Sequence, residues 1–147
     1  MITNFETQTA PLNEKELEAA NIIGHFLMKS HVGKNKVVTA KQIGEGMAKT
    51  YERFRIIDKN GDIKPYLTGE RIRKIIFYLR TNDIVPLLLG TSNGYYVADK
   101  SNPIEIRDCI RSLKERVAAQ YMSINSLERQ LKKELAGHPA AEIDITV

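Results

Sequence analysis

Arg71, Arg73 and Lys74 fall within one four-residue stretch, and Tyr78 follows four positions after Lys74. Such residues suit a polyanion. Arginine and lysine bind phosphate oxygens or guanine edges, and an aromatic ring contacts sugars or thymine methyls. From Lys29 to Arg80 the chain carries 13 Lys/Arg against 5 Asp/Glu, a local surplus that marks this segment as the candidate footprint on nucleic acid. Lys34, Lys36 and Lys41 belong to the same surplus and are assigned to flanking phosphates. Thr68, Ser92 and Asn93 add uncharged donors. Chemistry of another kind is not encoded in any recognisable spacing. The three histidines, at 25, 31 and 138, form no nucleophile or metal constellation, so no catalytic residue, metal or cofactor is expected. Gly44-Glu45-Gly46 lacks the further glycine and preceding strand of a dinucleotide fingerprint. Asp58-Lys59-Asn60-Gly61-Asp62 opens like a calcium loop, but Ile63 stands where that loop needs glycine. It reads as a plain turn.

The basic stretch is carried by a helix. Ile72, Ile75, Ile76 and Leu79 recur at the three-and-four spacing of one apolar face, with Thr68 as N-cap. Glu70, Lys74, Phe77 and Thr81 lie opposite that stripe, flanked by Arg71, Arg73 and Tyr78. Two β-favouring runs follow, Ile84–Leu89 and Tyr95–Ala98. Asn93-Gly94 between them supplies residues that tolerate the positive φ of a tight hairpin. Pro86 confines the first run to an edge or bulge. The hairpin tip, Thr91-Ser92-Asn93, has no cation. A basic helix running into a two-stranded hairpin gives a winged helix-turn-helix, with the helix as reader and the hairpin as wing.

Two helices precede the reader. Asn13 and Glu16 have capping-box spacing, and Leu17, Ala20, Ile23 or Gly24, and Leu27 continue one face to about Ser30. His25 reads as a semi-buried histidine of that helix. After the polar loop 31–36, Val37-Val38 is a short strand for pairing with the wing. Thr39 and Gln42 repeat the capping-box spacing and open a second helix with Ala40, Ile43, Met47 and Ala48 inward, extending into 51–55. A helix-turn-helix normally joins its helices by three or four residues. Here 51–67 intervene, reading as a small hairpin, 54–57 with 63–66, that packs beside the reader helix.

Beyond the linker 99–103, with Asn102 at a cap and Pro103 at the favoured first helical position, no breaker occurs until Gly137-His138-Pro139. Such a helix is about 50 Å long. Ile106, Ile110, Leu113, Val117, Ile124, Leu127 and Leu131 form its seam, with steps alternating four and three once Gln120 fills the gap. This is a heptad repeat with β-branched residues at one core position and mainly leucine at the other, and its simplest partner is a second copy. The organisation expected is a flexible arm over 1–12, a winged-helix domain over 13–99, a long oligomerisation helix over 102–136 and a tail over 137–147. The fold class is mainly α with a small β-hairpin. The chain has 147 residues, 42% of them hydrophobic. No apolar run approaches the ~18–20 residues of a membrane span, and the N-terminus lacks a signal pattern. Cys109, the single cysteine, reads as a helix-face packing residue and fits a reducing cytosol, so a cytoplasmic location is expected.

At Gly94-Tyr95-Tyr96-Val97-Ala98-Asp99, then Glu105-Ile106, Ile110-Arg111-Ser112-Leu113, Arg116 and Ile124-Asn125-Ser126-Leu127-Glu128-Arg129, the chain resembles a group of small phage and prophage proteins. In that group a winged-helix domain ends in G-Y-Y-x-A and passes into a helix rich in S-L and L-E-R steps. The resemblance is clearest over 94–130 and looser over 13–90; the 51–67 segment departs from the compact pattern. It implies a DNA-binding protein, with a role in regulation or replication and a phage or host protein as a further partner. A small-terminase-like packaging adaptor and a winged helix that binds protein are the alternatives.

Overall fold

Asn13 and Glu16 begin the first helix, α1 (Glu14–Ser30), by capping one another. The Asn13 side chain accepts from the Glu16 amide at 2.7 Å, and Glu16 Oε1 accepts from the Asn13 amide at 2.9 Å. Thr39 and Gln42 repeat the arrangement at α2 (Ala40–Thr50), and Thr68 caps α3 (Gly69–Thr81). Each cap satisfies amides that the first helical turn leaves without partners. The computed structural model describes residues 8–137; the readings for the first seven residues and for 138–147 lie outside them. Described residues divide into two compact units, one ending at Ile106 and the other beginning at Arg107.

Three apolar stripes meet in the first unit. Ala19, Ala20, Ile23 and Leu27 of α1, Ile43 and Met47 of α2, and Ile72, Ile75, Ile76 and Leu79 of α3 are buried together, with Val85 and Leu88 closing the core. Leu17, expected on the inner face, is exposed, as is His25, because the buried stripe runs through Ala19 and Ala20 instead.

The 51–67 segment is a hairpin, but it packs elsewhere than expected. Helix α2 stops at Thr50, and Tyr51 caps it in an extended conformation. β1 (Arg55–Ile57) pairs antiparallel with β2 (Ile63–Pro65), registering Ile57 opposite Ile63. Asp58 Oδ1 accepts from the amides of Asn60 and Asp62, each at 2.9 Å, which closes the turn. β2 lies against α2 rather than along α3. Phe54 and Leu67 anchor its base in the core, whereas Ile57 and Ile63 near its tip are 71% and 62% exposed. Gly44 permits the approach, since a Cβ there would collide with the Leu67 carbonyl oxygen. Gly44→Ala should therefore destabilise the fold by about 1–3 kcal/mol through overpacking, despite alanine's better helix propensity. A lowered urea midpoint with unchanged slope would register this.

The second hairpin joins β3 (Leu88–Thr91) to β4 (Gly94–Val97). The run expected as strand from Ile84 forms it only from Leu88. Residues 84–87 instead make a turn on the end of α3, where the Ile84 and Val85 amides donate to the Leu79 carbonyl at 3.0 and 3.1 Å. Asp83 and Leu87 take φ of 56° and 60° to allow it. At the tip only Gly94 has positive φ, 126°, and Asn93 does not. The outer edge of β4 is covered: Val38 and Tyr95 exchange both backbone hydrogen bonds, at 2.9 and 2.7 Å, as the short-strand reading of Val37-Val38 anticipates. Val32 bridges Val97 further along.

Helix α4 (Pro103–Leu135) begins at the proline and runs 33 residues without interruption. It has no buried residue. Its seam is open: Ile110, Leu113, Val117 and Ile124 are 47–50% exposed and Leu127 and Leu131 60–65%. Ile106 is half-buried, as is Cys109.

Candidate nucleic-acid interface

Helix α3 presents its basic residues in two directions. Arg71, Lys74 and Tyr78, three and then four residues apart, share one side. That side meets the start of α1, where Glu16 is fully buried. Lys74 Nζ lies 2.8 Å from Glu16 Oε1 and an Arg71 guanidinium nitrogen 3.0 Å from Oε2. The carboxylate that caps α1 thus also holds two cations from α3. Burial alone would raise the Glu16 carboxyl. Lys74, the Asn13 amide and Arg71 outweigh it and bring the carboxyl below its ordinary 4.5. Arg71 also stacks over Tyr66, 4.4 Å from the ring centroid, and Tyr78 packs on the core. The expectation that Lys74 faces away from the apolar stripe is therefore corrected. Its side chain is only 14% exposed and is consumed by an internal ion pair, as Arg71 is in part.

Arg73 and Arg80 take the other side, at a spacing of seven with Phe77 between them. Both charges act on Tyr95 of β4. Burial raises the Tyr95 phenol above its ordinary 10.0, and the positive charges of Arg73 and Arg80 oppose that rise. Arg80 is fixed by donation from Nε to the Leu88 carbonyl at 2.9 Å, which ties α3 to the first strand of the hairpin. Gly90 stands opposite Tyr95 in the ladder, so the tyrosine ring lies across bare backbone with Arg80 alongside.

Two lysines join from the segment that covers β4. Residues Lys34–Lys36 form a 3-10 turn against this strand, held by the Gly33 amide on the Val97 carbonyl at 2.9 Å and by His31 Nδ1 beside the Lys36 carbonyl at 2.6 Å. Lys34 and Lys36 are exposed. Ser92 and Asn93 at the uncharged tip are exposed as well, whereas the lysine turn lies along β4, next to Val97. Lys41 is exposed on α2, 3.9 Å from Glu45. Thr68 is exposed and serves as the cap of α3.

Sequence reasoning left out Arg80 and Tyr95. The seven-residue interval from Arg73 to Arg80 was the available signal, because it places both on one helical face. Among the described residues no group of three or more His, Cys, Asp or Glu is arranged to hold a metal ion, and no helix is long and apolar enough to cross a membrane.

This is a mainly helical chain with two small antiparallel sheets and a long C-terminal helix. Compared with known families, curated proteins and solved structures, it finds no match.

Proposed function

We propose that this chain is a non-catalytic duplex-DNA-binding protein with a winged helix-turn-helix domain, acting as a dimer through α4 in regulation or replication of a phage or prophage. The observation that carries the reading is the cationic Lys34–Lys36 turn lying against β4, whose paired strand β3 is tied to Arg80 through the Leu88 carbonyl. The order of elements supports it too. Three helices are followed by a hairpin whose outer strand pairs with a segment lying between the first two helices. In this reading Arg73, Arg80, Lys34 and Lys36 bear on phosphates, with Lys41, Ser92 and Asn93 at the margin. Arg71 and Lys74 position α3 through Glu16.

Binding to duplex DNA should weaken steeply with salt, because contacts to phosphate release condensed counterions. Arg73→Ala and the double change Lys34→Ala, Lys36→Ala are each expected to lower affinity on all sequences. Each phosphate contact removed should flatten the logarithmic salt slope by about one. Wild-type affinity and slope in both variants would rule out this face.

The apolar tip of the β1–β2 hairpin favours one competing reading, a winged helix that binds protein. Ile57 and Ile63 face each other across the ladder and are largely exposed. DNA binding absent from the intact protein would move that reading to first place. A ring of many copies would favour the packaging adaptor.

A further inference from the structure

Gln120 interrupts an otherwise apolar seam, and it determines which way two copies of α4 can meet. The seam positions run Ile106, Ile110, Leu113, Val117, Gln120, Ile124, Leu127, Leu131, in steps of four and three. All lie within one uninterrupted helix, and none is buried. We infer that α4 forms a parallel, in-register two-stranded coiled coil with a second copy of this chain, in which the two Gln120 side chains face each other and set the register. The inference rests on the dimer reading above and adds to it an orientation and a register.

Three features argue for it. Ile110, Val117 and Ile124, with Leu131, occupy one core position and Leu113 and Leu127, with Ile106 and Gln120, the other; in a parallel coiled coil, β-branched residues at the first and leucine at the second favour two strands. Gln120 has both an amide donor and a carbonyl acceptor. Parallel and in register, each Gln120 meets its twin and both groups find partners. The antiparallel arrangement that overlaps the whole seam would set Gln120 against the partner's Val117, leaving a polar group in an apolar layer without a hydrogen bond, which is costly. The flanking positions are also compatible. In the parallel pairing Arg116 lies beside the partner's Tyr121 and Ser123 beside the partner's Glu128, and no like charges are opposed.

The test uses the full chain with Cys109→Ser, so that added thiols are the only ones. Gln120→Cys, and separately Ile124→Cys, should each oxidise to a disulfide-linked dimer in high yield, because facing core positions bring Cβ atoms within bonding range. Gln120→Leu should tighten self-association at least tenfold while admitting species larger than two chains, since the polar layer restricts register and copy number. Suppose sedimentation shows a dimer, neither single-cysteine chain cross-links, and a mixture of Val117→Cys and Gln120→Cys chains does. The orientation would then be overturned and the dimer kept. A monomer, or a ring of many copies, would overturn both.

Discussion

Replacing Glu16 by alanine is expected to cost the first unit about 3–5 kcal/mol, the usual penalty for removing one partner of a buried ion pair. Three groups lose their acceptor together: Lys74, Arg71 and the Asn13 amide. Lys74 suffers most, because its ammonium is largely shielded from water and has no other salt-bridge partner among the described residues. Against a total stability of about 5–15 kcal/mol for a domain, that loss would leave the variant marginal. Glu16→Gln should fall between, since its amide oxygen can still accept from the Asn13 amide but carries no charge. Wild type should show an acid limb of matching origin. The folded carboxyl lies below its ordinary 4.5, so its contribution is present above that value and is lost as pH falls through the lower folded one. Urea midpoints at neutral pH and down an acid series would measure both effects. If Glu16→Ala unfolded at the parental midpoint, the carboxylate would not be what holds α3 to α1.

DNA binding should follow stability in that variant rather than lead it. Arg71 and Lys74 are spent on the fold, and what their loss disturbs is the seating of the helix that carries Arg73. This is where a plain reading of the sequence stops. The Asn13–Glu16 box was legible because cap and partner are three residues apart and their geometry is fixed by the helix start. The same carboxylate's contacts with Arg71 and Lys74 span more than fifty residues, and nothing local in the sequence announces them. A lysine at a helical position opposite an apolar stripe looks solvated until the neighbouring helix is known to bring a buried acid there.

The hairpins divide along the same line. Thr39–Gln42, Thr68 and the Asp58 turn are local hydrogen-bond patterns, and each stands where the residue types put it. The partner of the β1–β2 hairpin was not legible, because Phe54, Tyr66 and Leu67 are apolar enough to pack on either helix. Close passage over Gly44 decides it in favour of α2. The start of β3 was misplaced because Ile84 to Leu89 is uniformly apolar. Only the turn back onto Leu79, with Leu87 at positive φ, separates the turn residues 84–87 from the strand.

The length of α4 and its start at Pro103 were legible, since both are properties of one helix, and its heptad carries the other large expected effect. Ile124→Asp should abolish the dimer. It places one carboxylate from each chain in the same core layer, where neither has a cation to meet and each repels the other. At about 3–5 kcal/mol for an uncompensated buried charge, the dimer dissociation constant should rise at least a hundredfold, since 1.4 kcal/mol is a factor of ten. Folding of the first unit should be untouched, because Ile124 belongs to the second unit and is 48% exposed in the single chain. DNA affinity provides the further readout. A dimer engages two half-sites at once and doubles the phosphate contacts, so the monomeric variant should lose affinity on a two-fold site and show about half the parental salt slope. On a single half-site it should bind nearly as the parent does. Sedimentation across a concentration series, followed by titration of both duplexes over a range of salt, would test this. Parental dimer formation by Ile124→Asp would remove α4 as the interface. Loss of the dimer with no change in the salt slope would instead mean that only one first unit contacts the duplex.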